Sequence, residues 1–173
     1  DLTAIRFARF KDEIVDRVQH GQYQRLLSAD GRFVLATVTD GGSTTRPLLQ
    51  VELQGSRKTD LDRPEFVAQL RHILCTDLDL KPFYRHTRTD EVLGPLLVPA
   101  RGLKLPASPT VFESLVMAVL SQQVNLTFAY SIKRELVETF GEQARYDGVT
   151  YYAFPRPERF AEEQAESLLR FRL

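Results

Sequence analysis

The spacing of apolar residues changes partway along the chain, and that change constrains the fold more than any single motif. From Gly21 to Leu53 the period is that of strands. Tyr23, Arg25 and Leu27 lead into a Ser28-Ala29-Asp30-Gly31 turn. Phe33 to Thr39 follows, with Val34, Leu35 and Val38, and Asp40-Gly41-Gly42 marks a second reversal. Leu49, Val51 and Leu53 then alternate with Gln50, Glu52 and Gln54, so one face is apolar and the other polar. Three strands with short connections predict an antiparallel sheet with one face covered.

The predicted cover is a helix after Asp62. Asp62 with Glu65 three residues on is a helix-start signature, and Pro64 fits the first turn. Phe66, Val67, Leu70, Ile73 and Leu74 fall on one stripe. An earlier helix is expected over Phe7 to Val18. The fold class is α+β, with an N-terminal domain over residues 1–80. In residues 81–173 the period becomes helical. Pro82, Pro95, Pro99 and Pro106 leave room only for short helices before residue 108. A strong helix then opens with the capping box Thr110 and Glu113 and carries Phe112, Leu115, Val116, Val119 and Leu120 as a continuous face.

The next position on that face after Val119 is Gln123, an amide where an apolar residue is expected. Asn125 suits the N-cap of a second helix bearing Leu126, Ala129, Ile132, Leu136, Val137 and Phe140, with Gly141 as the glycine beyond its end. Gln122, Gln123 and Val124 therefore form a tight helix-to-helix turn. Two readings are open from spacing. The amides satisfy backbone groups in a helical hairpin, or they form a probe that enters a duplex and bonds what an extruded base leaves behind.

Composition adds little toward that choice. With 23 basic and 23 acidic residues the net charge is +0, which does not itself point to a polyanion. Basic residues gather only locally, as Arg85, His86 and Arg88, Arg101 and Lys104, and Lys133 and Arg134. Cys75 is the sole cysteine, expected as a small buried hydrophobe, which excludes an internal disulfide framework. His20, His72 and His86 have no metal-ligand spacing, so no metal or cofactor is expected. No apolar run reaches membrane-spanning length, and the sequence shows no charged-then-apolar secretory signal from Asp1 onward; the lone cysteine points to an intracellular location, cytoplasmic or nucleoid-associated if bacterial.

Several blocks resemble the alkylbase DNA glycosylases of the helix-hairpin-helix superfamily, the 3-methyladenine glycosylase II branch. They are Asp77-Leu-Asp-Leu-Lys-Pro-Phe-Tyr84, Gly102-Leu-Lys-Leu-Pro106, and Phe112 through Gln122-Gln123-Val124-Asn125 to Leu126. Phe140-Gly-Glu142 and Tyr152-Ala-Phe-Pro-Arg-Pro-Glu158 follow in the family's order and spacing. The resemblance implies an N-terminal sheet-and-helix domain like half of a TATA-binding protein, then the first helices of an all-α glycosylase domain. It implies a base-excision repair enzyme that bends duplex DNA, flips an alkylated purine and hydrolyses its N-glycosidic bond. The partner is duplex DNA carrying alkylated bases; no membrane and no obligate protein partner are implied. Gln123 would be the wedge, with Gln122, Val124 and Asn125 around it. Arg156 departs from the Thr or Ser often found between the two prolines and should weaken the cap of a final helix near Glu158 to Leu169.

The resemblance also implies parts that this sequence lacks. A glycine-rich hairpin holding a DNA phosphate and a catalytic aspartate should follow, yet no glycine occurs after Gly148 and no aspartate after Asp147. Both are expected beyond Leu173. Asp147 reads as a turn residue, Glu113 as a cap, and Glu158, Glu162 and Glu163 as a solvated helix face, so no catalytic residue is assigned within the chain. Tyr84, Phe112 and Phe128 are candidates for a base pocket, the last two also for the core. The leading expectation is an inactive N-terminal portion of a glycosylase, truncated within its helical domain. The alternatives are a non-catalytic DNA-binding or regulatory module retaining the turn, and a scaffold with no DNA role. A chain ending here is expected to leave Leu120, Ile132 and Leu168 partly uncovered.

Overall fold

The computed structural model describes residues 10–43, 46–55, 57, 64–122, 124–163 and 168–171. Four antiparallel strands in sequential order, β1 (Asp16–Gln19), β2 (Gln22–Ala29), β3 (Arg32–Asp40) and β4 (Leu49–Gly55), form one sheet. Two-residue turns join the first three. His20 and Gly21 have φ of 51° and 76°, and Asp30 and Gly31 have 49° and 71°. Positive φ at both central residues gives the twist that closes a tight hairpin. Arg25 sits opposite Asp16 on β1 and Ala36 on β3.

The expected first helix is not formed where the chain is described; residues 7–9 lie outside the described residues. From Asp16 the chain is strand, because Val18 and its neighbours pair with β2 across the His20-Gly21 turn. Ahead of the strand, the Glu13 carboxylate Oε1 accepts from the Val15 and Asp16 amides at 2.8 and 3.1 Å, an arrangement that replaces a helical turn.

Helix α1 (Pro64–Ile73) covers one sheet face as predicted, although Asp62 lies outside the described residues. Phe66, Leu70, Ile73 and Leu74 pack on Tyr23, Leu27, Val34, Ala36 and Val38. Val67, counted on the same stripe, is exposed. The helix ends in a left-handed Cys75, φ 50°, with the Thr76 amide donating to the Arg71 carbonyl and the Cys75 amide to that of His72. Cys75 is therefore a helix-terminating residue of intermediate burial rather than a buried hydrophobe.

The other sheet face is covered too, which corrects the one-faced expectation. Strands β5 (Gln143–Tyr146) and β6 (Val149–Tyr152) form a hairpin about Asp147 and Gly148, φ 49° and 81°. Tyr151 and Ala153 bury against Leu26 and Leu35. The hydrophobic effect is served on both sides, so alternation in β2 and β3 gives way to continuous burial from Arg25 to Leu27 and from Val34 to Ala36.

Short helices α2 (Lys81–Thr87) and α3 (Leu93–Leu97) lead to α4 (Val111–Leu120) and α5 (Leu126–Phe140). Leu120, Ala129, Ile132, Leu136 and Phe140 make a second apolar cluster with Phe171. Gly141 caps α5 with φ −73° and ψ 150°, not in the left-handed form expected of it. Its missing side chain matters for space: a Cβ there would lie against the Val137 carbonyl oxygen and 2.6 Å from that of Ala153. Helix α6 (Pro157–Ala161) follows and a turn at Glu162 ends it; residues 164–167 of the expected helix lie outside the described residues, and Leu169–Phe171 is a 3-10 turn. Arg156 caps it without a side-chain hydrogen bond, as its chemistry predicts.

Candidate nucleic-acid interface and the network beneath it

Helices α4 and α5 form on either side of the predicted turn, with both predicted caps. Thr110 Oγ1 accepts from the Glu113 amide at 3.1 Å, and Asn125 Oδ1 accepts from the Phe128 amide at 2.9 Å. Each cap relieves backbone donors that a helix N-terminus leaves open. The Gln122 amide closes the end of α4 on the Val119 carbonyl at 3.1 Å. Gln122, Val124 and Asn125 are all exposed, so the tip presents two amides and one apolar side chain to solvent. Gln123 lies outside the described residues.

Helix α4 does not present one continuous buried face. Leu120 is 3% exposed and Val116 and Met117 are half-buried, whereas Val111, Leu115 and Val119 are 76%, 60% and 57% exposed. This i, i+4, i+8 stripe is bare apolar surface, as are Val98, Leu103 and Leu105 among other side chains. Leu120 and Ile132, expected uncovered, are buried, and Leu168 packs against their cluster.

The aromatic candidates are not gathered into a pocket. Phe112 lies edge-on to Phe154 and Phe160, with ring centres 6.2 and 5.5 Å apart, and Phe128 packs in the second cluster. Tyr84 accepts from the Gly102 amide at 2.7 Å, and the Arg101 guanidinium stands 5.7 Å from its ring centre. Among the described residues no three His, Cys, Asp or Glu side chains group as a metal site, and no helix is long and apolar enough to cross a membrane.

Sequence reasoning missed a buried ionic network. Arg25 Nη1 donates to Asp16 Oδ1 at 2.7 Å, and its Nη2 to Glu113 Oε2 at 2.6 Å. The Tyr23 hydroxyl donates to the same Asp16 oxygen at 2.6 Å. Lys133 Nζ donates to Glu13 Oε2 at 2.7 Å and lies 5.5 Å from the Tyr130 ring centre. Glu113 therefore does more than belong to a capping box; its carboxylate holds α4 to the sheet. All five charged side chains are buried. Among the described residues no buried side-chain nitrogen or oxygen lacks a hydrogen-bond partner.

Charge distribution differs within the network. Burial would raise the Asp16 carboxyl, but Arg25 and Lys133 outweigh it and hold it below its ordinary value. Burial dominates at Glu13 and raises its carboxyl despite Lys133, with Asp16 adding to the rise. Burial would lower Lys133, yet Glu13, Asp16 and Glu113 together raise it. Of Glu13 and Asp16, Glu13 therefore takes up its proton at the higher pH.

No family model matches the chain. In sequence it is 41% identical over 102 residues to a DNA-3-methyladenine glycosylase of Bacillus subtilis (strain 168), covering 57% of this chain and 33% of that protein. A second B. subtilis relative aligns at 28% identity over 109 residues, 63% of this chain and 36% of its own. The chain thus spans about a third of the length of the curated relatives it matches. In structure, the 3-methyladenine DNA glycosylase from Archaeoglobus fulgidus superposes with a TM-score of 0.83 at 24% identity, over 99% of this chain and 57% of that one. The 8-oxoguanine glycosylase/lyase of Clostridium acetobutylicum, in complex with double-stranded DNA, superposes with a TM-score of 0.66 at 16% identity, over 93% and 50%.

The fold is accordingly that of about half of a DNA glycosylase. In sequence the chain is similar to a portion of a DNA-3-methyladenine glycosylase, and its fold likeness fits the N-terminal portion.

Proposed function

We propose that the chain is the N-terminal portion of a base-excision repair glycosylase that flips alkylated purines from duplex DNA and hydrolyses the N-glycosidic bond. Residues 1–80 form its α+β domain and residues 81–173 the first part of its helical domain. The observation that carries this reading is the 41% identity to a DNA-3-methyladenine glycosylase.

In this reading the α4–α5 turn enters the duplex. Gln123 is the wedge, its amide bonding the base left unpaired by flipping, while Gln122 and Val124 flank it. Asn125 fixes the start of α5 and so the reach of the tip. Base flipping costs a few kcal/mol of unstacking, about what an inserted side chain and its hydrogen bonds return. N-alkylated purines of the 3-methyladenine or 7-methylguanine type are cationic or electron-poor, so the base leaves with little protonation. Water takes its place on the sugar carbon. The charge developing on the sugar calls for a carboxylate, which this reading places beyond Leu173.

The test is base release from methylated duplex DNA by the full-length gene product, with 3-methyladenine and 7-methylguanine resolved. Release of either establishes the activity. A folded protein that binds abasic-site DNA but releases nothing supports the non-catalytic DNA-binding module instead. The 173-residue chain alone is expected to release no base, even in a single turnover.

A further inference from the structure

We infer that the buried Glu13–Lys133 and Asp16–Arg25–Glu113 network is a positioning device for the α4–α5 turn, an inference that rests on the proposed reading of that turn. Its two branches reach one arm of the helical hairpin each. Glu113 lies in the first turn of α4, eight residues before Ser121. Lys133 lies on α5, eight residues after Asn125. At about 1.5 Å per residue, both grips are roughly 12 Å along their helices from the tip.

The other ends of the branches converge on one stretch of chain. Glu13 and Asp16 are three residues apart, and the Asp16 amide itself donates to Glu13 Oε1 at 3.1 Å. Arg25, opposite Asp16 in the sheet, joins β1 and α4 through its two terminal nitrogens. The two helices are thus referenced to the same short stretch, Glu13 to Asp16. Apolar contacts alone tolerate sliding and rotation of packed helices, whereas a buried ion pair has one geometry with all donors satisfied. A rotation of about 10° at a 12 Å lever arm moves the tip by about 2 Å, beyond the roughly 0.5 Å tolerance of a positioned binding group.

Arg25→Lys separates bridging from charge, because a single ammonium does not present the paired nitrogens that hold Asp16 and Glu113 together. Lys133→Met severs the α5 branch. Pairing Glu13→Gln with Lys133→Gln leaves a neutral amide pair able to hydrogen-bond in place of the ions.

The experiment uses the full-length gene product and a duplex with an abasic-site analogue opposite 2-aminopurine, whose fluorescence reports disturbance of the orphaned base. Leu70→Ala, which leaves every charged member of the network in place, serves as the destabilised control, and variants are compared at equal distance below their measured melting temperatures. Well below the unfolding temperature, Arg25→Lys and Lys133→Met should weaken binding roughly tenfold or more and reduce the fluorescence change, while Leu70→Ala does neither. The double amide variant should recover much of the signal lost in Lys133→Met. Equal loss in Leu70→Ala, or full signal in folded Arg25→Lys and Lys133→Met, overturns the inference alone. A wild-type protein giving no fluorescence change overturns the reading of the turn and the inference with it.

Discussion

Gly141→Ala should be among the most damaging single-methyl additions to this chain, and the reason is not backbone conformation. Gly141 has φ −73°, open to any residue. What an added Cβ meets is backbone on both sides, the Val137 carbonyl oxygen in the last turn of α5 and the Ala153 oxygen 2.6 Å away. Neither can rotate aside as a side chain would. Relief requires α5 and the chain just after β6 to separate, which strains the Gly141–Val137 and Ala153–Glu142 hydrogen bonds, both 2.8 Å. Overpacking of this kind costs about 1–3 kcal/mol, and weakening two hydrogen bonds adds about 1 kcal/mol each. A total near 4 kcal/mol lowers the melting temperature by about 8–16 °C for a protein of 150–250 residues. Gly148→Ala is the matched comparison: its φ is +81°, but an added Cβ has nothing within 4 Å. That change should cost only about 1–2 kcal/mol. Melting curves in which Gly141→Ala is no worse than Gly148→Ala would refute the steric argument.

Leu136→Ala should destabilise by about 2–5 kcal/mol in chemical denaturation, since Leu136 is fully buried, while Leu115→Ala stays within about 0.5 kcal/mol. Asn125→Ala removes the cap on Phe128 and should lose about 1 kcal/mol, with Asn125→Asp restoring it. Glu13 and Asp16 should give opposite pH slopes. Glu13 has a folded value above its ordinary 4.5, so the folded state holds its proton longer than the unfolded one. Its contribution is greatest below about pH 4.5 and is lost as pH rises through the folded value, so the stability of wild type relative to Glu13→Gln should fall over that range. Asp16 has a folded value below 3.8 and stabilises above that pH, a contribution lost on further acidification; Asp16→Asn should flatten that acid limb. Denaturation midpoints measured from pH 3 to 7 check both signs.

The helical half was legible because its signals are local and redundant. Thr110 and Asn125 are caps whose acceptors bond amides three residues on, and the stripe from Ala129 to Phe140 repeats at the helical period. Strands β2 to β4 were legible from their turns and alternation. The β5–β6 hairpin carried a usable signal in Tyr146-Asp147-Gly148-Val149, since Asp-Gly between β-forming residues favours this turn. Strand β1 was not legible in the same way. Four residues are too few to show a period, and what holds them is pairing with β2.

The candidate site divides along the same line. The turn could be read because it interrupts a helical stripe, whereas the network beneath it is built from residues far apart in sequence. Glu113 and Arg25 are separated by 88 positions and Lys133 and Glu13 by 120. Each charged residue has an innocent local explanation: Glu113 completes a capping box, Lys133 adjoins Arg134 in a basic pair, and Arg25 belongs to the strand alternation. Yet three of them stand on apolar faces, Arg25 between Tyr23 and Leu27, Glu113 beside Phe112, and Lys133 next to Ile132 within the α5 stripe. A lone buried charge is too costly to keep, so a charge on an inward face implies an opposite charge on another inward face. Two cations and one anion call for at least one further carboxylate. The structure supplies Glu13 and Asp16, which lie ahead of β2 among Ile14, Val15 and Val18. Reading that segment as a helix hid them, because its acidic side then faces solvent. As a strand and its approach, the same residues turn inward and complete the network.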